Sequence, residues 1–233
     1  MDNKISIKVD YYSLYWNNVD KDMLEAHSKV MDFFEIPMNY HNFDRINHGE
    51  WLEGVLKKTE ADVTVIIEPD CIPLNKNFLE YIKYSYLNSS FVGIAQSSNH
   101  LEPKSHIYAG TGFYCMSKVA YNLLGQPSFK ESYRSDTSEE VCYKAEDIGL
   151  RYRSLMPTYF EKEPAEGIWP LSSIGYYGIG TVYGNSIYHL FQARYAQNIK
   201  MFISRCEQIL NNTFSTEGMY DATLFNYSGK IVP

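Results

Sequence analysis

The sequence predicts an α/β fold: a mostly parallel central sheet flanked by helices, with a further helix near the C-terminus. Three observations carry this. Short β-branched runs alternate with amphipathic helical stretches through the first half of the chain, the pattern of parallel strands joined by crossover helices. The 233 residues are 45% hydrophobic and 21% charged, enough apolar side chain for a sizeable core and too little charge for global disorder. No repeat, low-complexity stretch or linker interrupts the pattern, so residues 1–233 are expected to form a single domain.

In chain order, Ile5–Val9 alternates apolar and polar side chains and runs into Asp10-Tyr11-Tyr12, as a first strand does on reaching a ligand-facing edge. Asp22–Phe34 carries Met23, Ala26, Val30 and Phe33 at helical spacing and is closed by Pro37, after which Met38–Phe43 reads as a second short strand. Gly49–Lys58 is helical by the spacing of Trp51, Leu52, Val55 and Leu56. Val63-Thr64-Val65-Ile66-Ile67 is a β-branched run of the kind that is covered on both faces. Asn75–Leu87 is the next helix, Phe91–Gln96 and Ile107–Met116 are strands, and Ser117–Leu124 is a short helix. A polar loop over 125–138 precedes a helix expected over Glu139–Leu155, closed by Pro157. Thr158–Leu190 is rich in Gly and Tyr with short β-like pieces, Asn198–Leu210 is an amphipathic C-terminal helix, and 211–233 reads as a loosely wrapped tail.

Charge and cysteine content narrow the function. With 21 Lys+Arg against 28 Asp+Glu, the net charge of −7 disfavours a protein that grips duplex nucleic acid through its phosphates. Cys71, Cys115, Cys142 and Cys206 are widely spread without metal-ligand spacing and read as reduced, buried thiols of a cytoplasmic protein. Met1-Asp2-Asn3-Lys4 leads straight into strand-like sequence without the features of a signal peptide, and no run is long enough for membrane insertion. Aromatic residues reach 15%, including 21 Tyr; such side chains fill cores, and they also line sites for sugars and bases.

The chemistry concentrates where the β-branched run stops. In open α/β sheets, ligands bind beyond the carboxyl ends of the strands. Glu68 and Asp70 stand there at i and i+2, a spacing that puts both carboxylates on one side of an extended backbone and suits a hard divalent cation shared with phosphate oxygens.

Val65-Ile66-Ile67-Glu68-Pro69-Asp70-Cys71-Ile72-Pro73 resembles the strand and Asp-any-Asp segment of GT-A fold glycosyltransferases, with Glu in the first acidic position. Three further segments resemble that superfamily in the same order: Tyr108–Ser117, with Gly110 and Gly112; Ala145-Glu146-Asp147, like the any-Glu-Asp motif near a helix start; and Ser186-Ile187-Tyr188-His189-Leu190, like the late segment that supplies a metal-binding histidine. The resemblance implies a GT-A (Rossmann-like) fold and transfer of a sugar from a nucleotide-sugar donor, a UDP- or GDP-sugar, to an acceptor hydroxyl with inversion. It implies Mn²⁺ or Mg²⁺ on Asp70 and His189, donor contacts from Glu68, Gly110 and Gly112, Asp147 as general base and Glu146 as acceptor ligand. Val9, Asp10 and Tyr11, taken to end the first strand, would hold nucleobase and ribose; Asp44 and Arg45, after the second, would add donor contacts.

Other readings stay open. A nucleotidyltransferase usually opens with a Gly-rich, basic loop after the first strand, and Asp10–Asn18 holds no Gly, Lys or Arg. A catalytically silent binding module of the same fold and a nucleic-acid-modifying glycosyltransferase are the remaining alternatives. The Tyr-rich stretch Tyr176–Tyr195 with Arg194 offers aromatic faces suited to a saccharide acceptor in preference to duplex nucleic acid.

Overall fold

The computed structural model describes residues 6–98, 106–164 and 167–224. Its principal sheet has six strands in the order β2-β1-β3-β6-β5-β7: β1 is Val9–Trp16, β2 Met38–Phe43, β3 Val63–Ile67, β5 Phe91–Ser97, β6 Ile107–Ser117 and β7 Arg153–Leu155. β1 lies parallel to β2 and β3, and β5 parallel to β7, whereas β6 runs antiparallel to both β3 and β5. The sheet is therefore mostly parallel with one reversed strand. Helices α1 (Lys21–Phe33), α2 (His48–Lys58), α3 (Phe78–Leu87), α4 (Lys118–Leu123) and α5 (Glu139–Asp147) cover it, and α6 (Ala196–Leu210) is the C-terminal helix.

β3 is buried along its whole length, and its side chains divide between two cores. Val63, Val65 and Ile67 join Val30, Phe78 and Ile82 on one face; Ile66 joins Leu52, Leu56 and Tyr114 on the other. This two-sided burial is why the run is β-branched rather than alternating with polar residues. Asp20 and Asn47 cap α1 and α2 by accepting from the N–H groups of Met23 and Glu50, so both helix starts after β1 and β2 are fixed locally.

A second sheet positions the site. It has five strands in the order β13-β8-β11-β12-β4, all paired antiparallel, where β4 is Cys71–Pro73, β8 Pro157–Phe160, β11 Gly180–Tyr183, β12 Ile187–Leu190 and β13 Tyr220–Asp221. β9 (Ile168–Leu171) and β10 (Gly175–Gly178) form a separate two-stranded hairpin. The chain leaves the principal sheet at Ile67, turns through Glu68-Pro69-Asp70, and enters the second sheet at Cys71. A carboxylate pair in a junction between two sheets is held from both sides.

Two expected elements are corrected. The first strand is Val9–Trp16, whereas Ile5–Val9 was expected; Ile5 itself lies outside the described residues. Tyr11, Ser13 and Leu14 are buried, so the polar look of Asp10-Tyr11-Tyr12 marks strand interior and not strand end. The helix expected over Glu139–Leu155 stops at Asp147. Gly149 takes φ +69°, its N–H donates to Glu146 O at 3.1 Å, and Leu150 N–H donates to Ala145 O at 2.8 Å, the paired bonds of a glycine-closed helix end. The released chain forms β7. The tail also contributes β13 to the second sheet.

Candidate metal and donor site

Glu68 N–H donates to Gly112 O on β6 at 2.9 Å, extending the β3 pairing by one residue. Cys71 N–H donates back to Glu68 O at 2.9 Å, closing a turn that leaves both carboxylates partly exposed on one side. Opposite them, β12 pairs with β4 so that His189 stands across from Cys71, and Leu190 N–H donates to Asp70 O at 2.8 Å. Register between β4 and β12 thus brings together residues more than a hundred positions apart in sequence.

One ligand atom from each of Glu68, Asp70 and His189 falls within 4.8 Å of the other two. His189 Nε2 lies 3.5 Å from Asp70 Oδ1, Thr111 Oγ1 donates to Glu68 Oε1 at 2.5 Å, and His48 Nε2 stands 3.4 Å from the same oxygen. Asp70 Oδ1 and His189 Nδ1 are buried atoms without a hydrogen-bond partner among the described residues. Buried polar atoms are ordinarily satisfied, so an unpaired carboxylate oxygen beside an imidazole fits a cation. Oxygen and imidazole donors suit Mn²⁺ in particular and leave Mg²⁺ acceptable.

The cluster opens into a cavity of about 640 Å³. Glu68, Pro69 and Asp70 line it, as do Trp16, Asn18 and Asp20, from the end of β1 and the loop before α1. His48 at the start of α2 and Arg194, just before α6, complete it. The Trp16 and His48 rings meet edge to face at 6.2 Å. Beneath the Glu68–Cys71 turn sits His27, wholly buried on α1, its Nδ1 paired with Tyr40 Oη at 2.8 Å. Burial pushes its pKa down to about 4, so it packs as a neutral ring under the carboxylates.

The other expected site residues fall into three groups. Val9, Asp10 and Tyr11 begin β1 opposite Val63–Val65, the start of β3, and so lie at the end of the sheet away from Glu68. Asp10 Oδ2 instead accepts from Thr59 Oγ1 at 2.7 Å. The strand end that does reach the cavity is Leu14–Trp16, five residues further on; Trp16 was missed because the strand start was placed too early. Asp44 and Arg45 follow β2 as expected, on the correct edge, but are exposed and do not line the cavity.

The glycines serve packing within the protein. A Cβ at Gly110 would lie 2.1 Å from Gln96 Oε1, and one at Gly112 would lie 2.7 Å from His189 Cδ2. Gly112 therefore makes room for the candidate metal ligand. Glu146 and Asp147 end α5 instead of starting a helix, and both are exposed. Glu146 Oε1 accepts from Tyr152 Oη at 2.6 Å and from His106 Nε2 at 3.1 Å. His106 Nδ1 donates in turn to Glu139 Oε1 at 2.7 Å. Carboxylates only accept, so both ring nitrogens of His106 carry protons. Burial alone would lower its pKa, but the bonds to Glu139 and Glu146 outweigh that and raise it.

All four cysteines are free and buried, and no helix among the described residues is long and apolar enough to cross a membrane.

No protein-family model matches the sequence, and no curated protein matches it either. Among solved structures, the chain is similar to A197 from STIV, with 12% identity, a TM-score of 0.44 and coverage of 79% of this chain and 94% of that one. It is also similar to a protein from Bacillus anthracis described as a glucose-1-phosphate thymidylyltransferase, with 13% identity, a TM-score of 0.39 and coverage of 64% and 86%. A third is a glycosyltransferase involved in glycosylation of the major capsid of PBCV-1, with 14% identity, a TM-score of 0.33 and coverage of 50% and 62%.

Proposed function

We propose that this chain is a metal-dependent glycosyltransferase that moves a sugar from a nucleotide-sugar donor to an acceptor hydroxyl with inversion. The observation that carries this is the convergence of Glu68, Asp70 and His189 on one point, with unpaired buried atoms, at the mouth of a cavity large enough for a nucleotide. Asp70 and His189 would hold Mn²⁺ or Mg²⁺, and Glu68, fixed by Thr111, stands beside them on the donor side. Bound there, the ion supplies positive charge against the donor diphosphate.

The chain's own residues do the rest. Arg194, which lines the cavity, offers a guanidinium fork to phosphate oxygens. Trp16 and His48 present rings to the nucleobase. The acceptor hydroxyl oxygen bonds to the anomeric carbon from the face opposite the diphosphate, and the bond from that carbon to the diphosphate oxygen breaks, its electron pair leaving with the nucleoside diphosphate. Asp147 takes the hydroxyl proton, and Glu146, anchored by His106 and Tyr152, orients the acceptor. Asp44 and Arg45, at the correct sheet edge, are left without a donor role.

Calorimetry with UDP and GDP, with and without Mn²⁺, tests the reading. The expected result is Mn²⁺-dependent binding of at least one nucleotide by the wild type, lost in Asp70→Asn and weakened in His189→Ala. Undiminished Mn²⁺-dependent binding in Asp70→Asn would overturn the metal assignment. Hydrolysis of the matching nucleotide sugar separates an enzyme from a silent binding module.

A further inference from the structure

We infer that the acceptor is an uncharged saccharide, and that it rests on an aromatic face formed by Trp169, Tyr177 and Phe191 with the Asp136 carboxylate at its edge. Naming this ligand the acceptor rests on the donor reading above; the binding face itself stands on separate residues.

Trp169 on β9 and Tyr177 on β10 are directly opposed in the hairpin register, with ring centroids 5.7 Å apart. Phe191, immediately after β12, closes a triangle at 5.9 Å from Trp169 and 5.2 Å from Tyr177. It also stands 4.3 Å from the His189 ring at 87°, so the triangle abuts the candidate metal ligand. None of the three lines the donor cavity. All three keep part of their surface in solvent, unlike the wholly buried Phe113, Phe160 and Phe202. Ser172 N–H, in the hairpin turn, donates to Ser97 Oγ at 3.2 Å and ties the hairpin to the end of β5.

Polar groups meet this face at one edge. Asp136 is half-buried, and its Oδ2 accepts from Tyr108 Oη at 3.1 Å. Burial first, and then the Asp136 charge, push the Tyr177 phenol up to about 12, so it keeps its O–H at neutral pH. A pyranose has an apolar C–H face and a rim of hydroxyls, and flat rings with a carboxylate and phenols beside them match both. The surrounding charge argues against a polyanionic acceptor. The Asp136 charge acts on Tyr177, the net charge is −7, and the His106 imidazole is held between two glutamates.

The test is saturation-transfer NMR and fluorescence titration with a panel of methyl glycosides, lactose, maltose, cellobiose and chitobiose. It is run with Mn²⁺ and the nucleoside diphosphate present, beside an equal titration with single-stranded oligonucleotides. At least one saccharide is expected to bind the wild type. Its dissociation constant should rise at least tenfold in Trp169→Ala and several-fold in Asp136→Asn, while Trp169→Phe, which keeps the ring packing, recovers most of the loss. Mn²⁺-dependent nucleotide binding should be unchanged in all three, which also reports an intact fold. No saccharide bound by the wild type, or equal saccharide affinity in Trp169→Ala and wild type, would overturn the proposal. So would oligonucleotide binding that depends on Trp169. If nucleotide and Mn²⁺ fail to bind the wild type while a saccharide still binds through Trp169, the donor reading falls and the saccharide face stands.

Discussion

Gly112 and His189 share a space that admits only a glycine: an added Cβ at 112 would lie 2.7 Å from His189 Cδ2, 2.9 Å from its Nε2 and 2.8 Å from Ile94 Cδ1. All three atoms are side-chain atoms in a packed region, so the overlap must be relieved by moving the imidazole or the isoleucine. Gly112→Ala is expected to cost about 1–3 kcal/mol of stability, the usual range for overpacking, and to weaken Mn²⁺ binding about tenfold. Urea denaturation and Mn²⁺ calorimetry on the one variant check both. Weakened metal binding without loss of fold is the specific signature, because His189 is the side chain displaced.

Trp16 and Arg194 both line the cavity, and on the proposed reading the two should report different parts of a nucleotide. Trp16→Ala is expected to weaken UDP or GDP by one to two orders of magnitude, since stacking a base on an aromatic ring is worth about 1–3 kcal/mol. Arg194→Ala should weaken nucleoside diphosphate more than nucleoside, because its contact is with phosphate. Titrating uridine or guanosine beside the diphosphates separates them. Loss of nucleoside binding in Arg194→Ala would move the phosphate contact elsewhere.

The principal sheet was legible where its central strand β3 is buried on both faces, and at the short edge strand β2 that follows Pro37. Val63–Ile67 and Met38–Phe43 were bounded correctly to the residue, and Gly49–Lys58 to within one, from local apolar pattern alone. The acidic pair was legible for a related reason, since a carboxylate after a buried β-branched run marks where the sheet stops. Its partner His189 was named through the family resemblance alone; the β4–β12 register that places it there is encoded in no local pattern, because Cys71-Ile72-Pro73 is too short to read as a strand. The first-strand error shows the limit of alternation. Tyr counts as polar by its hydroxyl and apolar by its ring, so Asp10-Tyr11-Tyr12 looked like an edge while Tyr11, and Ser13 beyond it, are buried. Similarly, Gly149 is the signal that would have closed α5 correctly, and it was outweighed by the apolar residues beyond it.

The Glu139–His106–Glu146 chain predicts a pH dependence with a definite sign. The folded pKa of His106 is raised above the ordinary 6.5, so its stabilisation is present below 6.5 and is lost as pH rises through the folded value. Glu139 is the complement: burial would raise it, but bonds from His106, the Asp136 N–H and Tyr143 outweigh that and lower it below 4.5. Its contribution is present above 4.5 and fades as pH falls through the folded value. The clamp is therefore strongest between these limits. His106→Gln should be less stable than wild type by about 1–2 kcal/mol near pH 6, the scale of a charge-assisted bond, with the gap narrowing toward pH 9. Denaturant midpoints across that range measure it; a gap that stays constant with pH would mean that His106 acts by packing on Tyr143 alone, with which it stacks at 4.2 Å.

On the proposed reading, Asp147 and Glu146 divide the acceptor chemistry, and their surroundings make the division testable. Glu146 is committed: His106 and Tyr152 both donate to its Oε1, leaving one oxygen to meet an acceptor hydroxyl. Among the described residues Asp147 has no side-chain hydrogen-bond partner, and it is exposed in the last turn of α5, free to turn toward an incoming hydroxyl. The environment expected at a helix start, with backbone N–H groups facing the carboxylate, is absent, because Asp147 lies at the end of α5. Asp147→Asn is expected to keep Mn²⁺-dependent donor binding within about twofold and to lower transfer by two to four orders of magnitude, the usual contribution of general base catalysis. Glu146→Gln, which can still accept from His106 and Tyr152, should lower transfer less and raise KM for the acceptor. The measurement is transfer from the matching nucleotide sugar to whichever saccharide binds at Trp169, with the product anomer read by NMR. Full transfer by Asp147→Asn with an inverted product would hand the role of base to Glu146, and full transfer with a retained anomer would remove the need for a base on α5 altogether.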